Sequence, residues 1–204
     1  MLGGHEPEAA EHLTTAYDIA LMSRALLGHE AIKKYTTIWM DTVRDGQFGL
    51  SNTNKLVRFY DGTTGLKTGY TSAAGHCLSA SAERNGMELI AVVLHCASST
   101  DRFESAKALL NYGFSNYALI TPDPGELSAV PVTLGAVPEI TPVPADETPI
   151  LIDKALAAGV QTEVTLEESV AAPVEPGQTL GTLTVTSGGQ TLAERDLVAP
   201  EAVD

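Results

Sequence analysis

The chain has 204 residues, of which 26 are acidic and 12 basic, so its formal net charge is −14. This charge argues against nucleic acid as a partner, because phosphate binding needs clustered Lys and Arg. A hydrophobic fraction of 44% permits a real core, and no apolar run approaches the roughly 20 residues that cross a bilayer. The start, MLGGHEPEAAEH, lacks the basic and apolar stretches of a signal peptide.

Charge and residue types are unevenly distributed along the chain. Residues 1–115 hold 10 basic and 12 acidic residues together with all five histidines. Residues 116–204 hold two basic and 14 acidic residues together with ten of the eleven prolines. Such a change in composition is typical of a domain boundary. We therefore expect two domains, 1–115 and 116–204.

Two helices are expected near the start. Thr15 and Asp18 have the spacing of a capping box, and the apolar residues that follow recur at helical spacing, which predicts a helix over 15–27. A second, short helix is predicted over about 29–36. The stretch 45–54 is rich in Gly and Asn, and we expect it to be a loop.

Three strands of an antiparallel meander are predicted next, over 62–71, 75–84 and 87–96. Asn85-Gly86 lies between the last two strands. This dipeptide is the favoured two-residue hairpin turn, because both residues tolerate a positive φ.

A helix over 101–112 is predicted after the meander. Asp101 and Glu104 can cap its start, and Gly113 is expected to end it. Its apolar residues share one face, which predicts that this face is buried.

The second domain is predicted to be a small β-sandwich. Pro and Gly interrupt its short candidate strands, which cover 128–134, 148–153, 160–167, 179–187 and 190–198. Gly188-Gly189 predicts a tight hairpin between the last two strands. Since this domain contains neither His nor Cys, it offers few groups for catalysis, and binding or spacing is the expected role.

The clearest candidate for chemistry is Lys67-Thr68-Gly69, which lies on a predicted strand and is followed by Tyr70. The tripeptide alone is a weak signal, and a solvated Lys on an edge strand is its ordinary explanation. Penicillin-recognising serine enzymes, however, use Lys-Thr-Gly on a strand that lines their cleft. Lys and Thr can donate hydrogen bonds to a substrate carboxylate, and Gly admits a close approach of the backbone.

The surrounding sequence resembles the D-alanyl-D-alanine carboxypeptidases, the low-molecular-mass penicillin-binding proteins. The segments that carry this resemblance are TAYDIALMSRALL, NTNKLVRFYDGTTGLKTGYTSAAGHC, MELIAVVLHC and LLNYGFSNY. GQTLGTLTVTSGGQTLAERDLVA is similar to the C-terminal β-domain of that family. The resemblance implies an α/β fold, namely a partial β-lactamase/transpeptidase-like domain of helices plus an antiparallel meander, followed by a small all-β sandwich domain.

The resemblance also implies a function and a site. It implies a serine-type D-Ala-D-Ala carboxypeptidase of peptidoglycan maturation, a hydrolase of the extracytoplasmic cell envelope that acts on stem peptides and binds β-lactams. Lys67, Thr68 and Gly69 would bind the substrate carboxylate, and the backbone N–H of Tyr70 would donate to the oxyanion. Arg102 matches a basic residue that helps to hold this strand and the carboxylate, and an exposed Arg at a helix start is the alternative. The resemblance implies no cofactor and no metal.

Two motifs of the family are absent from the 204 residues. No Ser is followed by Lys three positions later, and Ser-x-Asn is also missing, because Ser51-Asn52-Thr53-Asn54 is one residue out of phase. No catalytic residue is therefore assigned within this chain, and we expect a truncated family member that is inactive alone. Neither a signal peptide nor a membrane anchor is expected in it. The alternative is a non-catalytic cell-envelope interaction module.

His76-Cys77 and His95-Cys96 suggest a metal or disulfide site. The predicted Asn-Gly turn would place His76 directly opposite His95, with the two Cys on the other face of the sheet. At most two ligands would converge on either face, so no metal site is predicted. A disulfide between the diagonal Cys would need a bulge, and reduced thiols are the expectation.

The apolar strand 87–96 has no sequence neighbour that would cover its outer edge. The resemblance implies that strands from the N-terminal part of the family pair beside it. An open edge is a template for self-pairing. We therefore expect homodimerisation or strand exchange through 87–96.

Overall fold

The computed structural model describes residues 13–204, which form two compact units. The first unit ends at Ser115, and the second comprises Asn116–Asp204. No helix among the described residues combines the length and the apolar character needed to cross a membrane.

The first unit consists of helices and a three-stranded antiparallel sheet. Its helices are α1 (Ala16–Leu27), α2 (Glu30–Thr36), α3 (Leu56–Phe59) and α4 (Ser99–Asn116). Its strands are β1 (Met40–Val43), β2 (Phe48–Ser51), β3 (Thr63–Thr71), β4 (Gly75–Arg84) and β5 (Met87–Cys96). The strand order of the sheet is β3-β4-β5, and β1 and β2 form a separate hairpin.

The predicted first helices and the meander are confirmed. The Thr15 hydroxyl accepts the backbone N–H of Asp18 over 3.1 Å, and the Asp18 carboxylate accepts the backbone N–H of Thr15 over 3.2 Å. This is the complete capping box. In the β4–β5 turn, Asn85 and Gly86 have φ values of 51° and 76°, as a two-residue hairpin requires.

The prediction of a loop over 45–54 is partly wrong. Residues 45–47 and 52–54 agree with it, and the turn has φ values of 54° at Arg44, 52° at Asp45 and 83° at Gly46. Phe48–Ser51 then pairs with Met40–Val43. All side chains of both strands are exposed, so no alternation of buried and exposed residues marks them in the sequence.

The helix predicted over 101–112 is longer than expected. It begins at Ser99, and the Ser98 hydroxyl accepts the backbone N–H of Asp101 over 3.1 Å. Gly113 lies inside α4 and does not end it. A Cβ atom at Gly113 would lie 2.5 Å from Cδ1 of Leu89, so the glycine instead lets the helix pack closely against β5.

The core of the first unit lies between α4 and the sheet. Phe103, Ala106 and Leu110 of α4 are buried, which confirms the predicted buried face. They pack with Leu56 of α3 and with β4 and β5 residues, namely Leu78, Ala80, Ala82, Ala91 and Val93. Each fully buried Leu or Phe contributes roughly 1.5–3 kcal/mol, so this cluster anchors β4, the strand that pairs with β3.

The second unit is built from strands and one helical turn. Its strands are β6 (Tyr117–Ile120), β7 (Val130–Thr133), β8 (Glu139–Ile140), β9 (Val143–Pro144), β10 (Ile150–Asp153), β11 (Val160–Leu166), β12 (Val170–Ala171), β13 (Thr179–Ser187) and β14 (Gln190–Val198). The helical turn is α5 (Lys154–Ala157). The strand orders are β11-β13-β14-β9, β12-β7-β8 and β10-β6.

The five strands predicted in this unit are present, with slightly different ends. Gly188 and Gly189 have φ values of 58° and 80°, which fits the predicted hairpin. The sequence did not indicate β6, β8, β9 and β12, which are two to four residues long. Strands of this length are too short to display a period of two.

Candidate functional site

A cleft of about 610 Å³ lies beside β3 in the first unit. One wall is β3, from Leu66 to Thr71, and α1 forms a second wall with Ile19, Met22, Ser23 and Leu26. The β4 residues Cys77, Leu78 and Ser79 and Leu94 of β5 also line the cleft. Among residues 13–204, β3 pairs only with β4 in its sheet, so no further strand covers its outer edge there.

All four residues of the Lys-Thr-Gly-Tyr segment line this cleft. Lys67 is exposed, and its Nζ donates to the carbonyl oxygen of Thr68. The Thr68 side chain is buried, and its hydroxyl lies 2.7 Å from the hydroxyl of Thr53. Tyr70 is 52% exposed, and its ring stacks on His76 with 4.3 Å between the centroids.

Gly69 leaves free space where a side chain would project. A Cβ atom built there would meet only the Cβ of Cys77, at 3.9 Å. The fold itself therefore does not require a glycine at this position. The open space beside the strand is compatible with the predicted approach of a ligand.

Arg102 is buried in the first turn of α4, with 8% of its surface exposed. Its Nη1 donates to the carbonyl oxygen of Gly69 over 3.1 Å and to that of Cys77 over 3.4 Å. Burial lowers the pKa of its guanidinium, and the neighbouring Cys77 and Cys96 partly counteract this. The alternative of an exposed Arg is wrong, and Arg102 instead ties α4 to β3 and β4.

The segment Asn52-Thr53-Asn54 was not identified as part of the site. Asn54 is 1% exposed, and its Nδ2 donates to the carbonyl oxygen of Gly65 over 2.9 Å. Its Oδ1 accepts the backbone N–H of Leu56 over 3.2 Å. The segment therefore holds the outer edge of β3. In the sequence this segment is a polar triplet shortly before β3. Its composition predicts a loop and does not point to a site.

A buried pair of hydroxyls joins α1 to the sheet. Oγ of Ser23 lies 2.7 Å from Oγ of Ser79, and both residues are more than nine-tenths buried. Ser79 is the cross-strand partner of Lys67. The pair thus joins the α1 wall of the cleft to β4 beside Lys67.

The predicted pairing of His76 with His95 is wrong. Cys96 is the residue opposite His76, because a bulge with a φ of 56° at His95 shifts the register of β5. Gly75 makes room for the bulge, since a Cβ atom there would lie 3.1 Å from Cα of His95. Both Cys are free, and residues 13–204 contain no group of three or more His, Cys, Asp or Glu able to hold a metal.

An ion-pair cluster lies near the other end of β3. Nζ of Lys33 is 3.1 Å from Glu88 and 3.2 Å from Glu83, and the Thr64 hydroxyl donates to Glu88 over 2.6 Å. Burial lowers the pKa of Lys33, but the hydrogen bonds and charges of Glu88 and Glu83 outweigh burial, so the net pKa is raised. The cluster connects α2 with β3, β4 and β5.

Two family models match the chain. Residues 5–98 match a model described as D-alanyl-D-alanine carboxypeptidase. Residues 123–204 match a model described as the C-terminal domain of penicillin-binding protein 5.

Curated relatives match along nearly the whole chain. The D-alanyl-D-alanine carboxypeptidase DacF of Bacillus subtilis is 35% identical over 196 residues, which are 93% of this chain and 50% of the relative. The carboxypeptidase DacC of Escherichia coli is 28% identical over 204 residues, 98% of this chain and 51% of the relative. The chain thus spans about half the length of the curated relatives it matches.

Solved structures resemble the chain in fold. Penicillin-binding protein 5 from Haemophilus influenzae matches with a TM-score of 0.72 and 26% identity, over 93% of this chain and 56% of that structure. Penicillin-binding protein 6B from Escherichia coli matches with a TM-score of 0.65 and 27% identity, over 91% of this chain and 50% of that structure. Together with both family models, these matches show that the chain belongs to the D-alanyl-D-alanine carboxypeptidase family of penicillin-binding proteins and carries the C-terminal β-domain of that family.

Proposed function

We propose that this chain is part of a serine-type D-Ala-D-Ala carboxypeptidase that acts on peptidoglycan stem peptides outside the cytoplasm. In this enzyme, Lys67, Thr68 and Gly69 of β3 form the side of the cleft that binds the substrate carboxylate, the carboxylate-binding wall. The observation that supports this role is the course of Lys67-Thr68-Gly69 along the open edge of β3, beside a cleft of about 610 Å³. The membership of the chain in the carboxypeptidase family connects this geometry to the reaction.

In this proposal, each residue of the strand has one role. The Lys67 ammonium and the Thr68 hydroxyl hold the terminal carboxylate by charge-assisted hydrogen bonds. Gly69 lets the substrate backbone approach β3 as an added strand. The backbone N–H of Tyr70 donates to the oxygen that becomes negative when the acyl carbon turns tetrahedral. Arg102 acts through Gly69, whose carbonyl oxygen it holds from behind.

The reaction needs a serine nucleophile, and none is assigned within these 204 residues. In the proposed reaction, the serine oxygen attacks the penultimate D-Ala carbonyl, the peptide bond breaks, and the terminal D-Ala leaves as its amine. Water then hydrolyses the acyl-enzyme ester. A β-lactam acylates the same serine by opening its ring. Since no Ser-x-x-Lys occurs in the 204 residues, we expect these residues alone to form no acyl-enzyme.

Intact-protein mass spectrometry after incubation with benzylpenicillin tests this expectation. The 204-residue chain should keep its unmodified mass under conditions in which the Bacillus subtilis relative DacF gains one penicilloyl group. A stoichiometric adduct on the chain would contradict the proposed inactivity, and peptide mapping would then locate its nucleophile.

The open edge of β5 supports a second proposal, that two copies of this chain pair through this strand. Among residues 13–204, the strand that pairs with β5 is β4 alone, and the sequence of β5, MELIAVVLHC, is mostly apolar. Unpaired backbone groups on an apolar edge strand favour association with another chain.

Light scattering combined with hydrogen exchange tests the pairing. With rising protein concentration, the mass should approach that of a dimer, and amides of Met87–Cys96 should gain protection. The edge strand β11 in the second unit (Val160–Leu166) serves as the control, and its exchange should not change. A strictly monomeric species at high concentration would contradict the proposal.

A further inference from the structure

Thr53 and Thr68 share one hydroxyl–hydroxyl contact at the edge of the cleft. Their Oγ1 atoms are 2.7 Å apart, a normal distance for an O–H···O hydrogen bond. Thr68 is 6% exposed, whereas Thr53 is exposed to solvent. Thr68 lines the cleft, so its hydroxyl lies at the cleft and contacts the hydroxyl of the more exposed Thr53.

Only one proton can lie between these two oxygens. A threonine hydroxyl has one proton to donate and two lone pairs that accept. If Thr68 donates to Thr53, its proton is no longer available to a ligand. If Thr53 donates to Thr68, the Thr68 proton is free to point at a carboxylate, and the chain of two hydrogen bonds strengthens both.

The backbone on both sides of Thr53 is firmly held. Nδ2 of Asn52 donates to the carbonyl oxygen of Ile38 over 3.0 Å, and its Oδ1 accepts the backbone N–H of Asn54 over 2.9 Å. Asn54 in turn is bonded to Gly65 of β3. The Thr53 hydroxyl is thus carried at a fixed place relative to the strand, which is the requirement for a positioning group.

We propose that Thr53 is a positioning residue for carboxylate binding by Thr68. Its hydroxyl donates to Oγ1 of Thr68 and so leaves the Thr68 proton directed at the C-terminal carboxylate of the ligand. This inference rests on the proposed function, because it assumes that Thr68 contacts that carboxylate.

The test compares two ligands on the intact 204-residue chain by NMR titration. The ligands are N-acetyl-D-alanyl-D-alanine and its C-terminal amide, which differ only in the carboxylate. Thr53→Val removes the hydroxyl at nearly constant shape and should weaken binding of the acid about fivefold, the value of one typical net hydrogen bond, while binding of the amide changes less than twofold. Thr53→Ser keeps a hydroxyl and should restore acid binding to within about twofold.

Thr36→Val is the matched control. The Thr36 hydroxyl also holds β3, because it donates to the carbonyl oxygen of Thr64 over 2.5 Å. Its other acceptor is the carbonyl oxygen of Ile32 and not Thr68. This variant should leave the acid-to-amide affinity ratio of the wild type unchanged. The ¹H–¹⁵N spectrum of each variant shows whether it is folded.

The outcomes separate this inference from the proposed function. The positioning role is wrong if the wild type prefers the acid and Thr53→Val keeps that preference. It is also wrong if Thr53→Ser binds the acid as weakly as Thr53→Val does. In both cases the proposed carboxylate-binding wall is not contradicted. If the wild type binds the acid and the amide equally well, the proposed function fails, and the role of Thr53 fails with it.

Discussion

Arg102 donates from α4 to the carbonyl oxygen of Gly69, over 3.1 Å, and so holds the last residue of the Lys-Thr-Gly segment from behind the sheet. The same Nη1 also donates to Cys77, the cross-strand partner of Gly69. One guanidinium thus bridges β3 and β4 at Gly69, the residue directly before Tyr70. We therefore expect this bridge to hold the backbone N–H of Tyr70, the proposed oxyanion donor, in place.

Replacement of Arg102 should therefore destabilise the first unit. Arg102→Met leaves two backbone oxygens without their donor, and we expect a loss of about 1–3 kcal/mol in the free energy of unfolding, measured by urea denaturation. Lys107→Met on the same helix breaks only a more exposed pair with Glu104 and should cost at most about 1 kcal/mol. Equal losses in both variants would contradict the bridging role.

Gly62 should tolerate a side chain much less well than Gly86. Both have a positive φ, 79° and 76°, so alanine is strained by about 1–2 kcal/mol at either position. A Cβ atom at Gly62 would also lie 2.3 Å from the backbone oxygen of Glu83, whereas the space around Gly86 is empty to 4 Å. Gly62→Ala should therefore be about 2 kcal/mol less stable than Gly86→Ala in thermal or urea unfolding. Equal stability of the two variants would contradict this prediction, because it would show that the backbone at Gly62 moves enough to relieve the contact with Glu83.

Gly69→Ala should separate stability from ligand binding. Its methyl group meets only Cys77, at 3.9 Å, and alanine is better than glycine in a strand by up to about 1 kcal/mol. We expect unchanged or slightly higher stability, but weaker binding of N-acetyl-D-alanyl-D-alanine, because the methyl group occupies the space beside β3. Gly49→Ala, also on a strand with open space, is the control and should bind like the wild type. Unimpaired binding by Gly69→Ala would count against strand-like docking at this position.

The Lys33 cluster should make stability depend on pH in the alkaline range. The folded-state pKa of Lys33 is raised above 10.5, so the folded chain binds this proton more tightly than the unfolded chain does. Its contribution is complete below the unfolded-state pKa and disappears as the pH rises through the folded-state pKa. Wild type and Lys33→Met should differ by about 1 kcal/mol at pH 8, and this difference should begin to shrink above pH ~10.5 and disappear beyond the folded-state pKa. A difference that stays constant between pH 8 and 11 would contradict this assignment.

Regular patterning made the meander predictable from the sequence. The strands β3, β4 and β5 are nine or ten residues long, and an Asn-Gly turn sets the register of the last two near Arg84 and Met87. The bulge at His95 shifts that register eight residues after Met87. It depends on the close approach of Gly75 to His95, a tertiary contact that the alternation of residues in one strand does not reveal.

The sequence identified the site residues that form a contiguous motif. It did not identify the residues that reach the site from a distant part of the chain. Lys67, Thr68 and Gly69 form a contiguous motif on one strand. Thr53 and Asn54 contact β3 only because the chain reverses between them and the strand, 15 residues before Thr68 and 11 before Gly65. A polar triplet of this kind has the composition of a loop, and its hydrogen-bond partners become defined only when β3 is in place.

The acid-to-amide affinity ratio of N-acetyl-D-alanyl-D-alanine tests the carboxylate-binding wall most directly. The 204-residue chain should bind the acid at least about tenfold more tightly than the amide, since a charge-assisted hydrogen bond contributes about 1.5–3 kcal/mol. Lys67→Met should abolish the preference, and Lys55→Met, which removes an exposed Lys outside the cleft, should retain it. Equal affinity of the wild-type chain for both ligands would contradict the assignment of Lys67 and Thr68 to the substrate carboxylate.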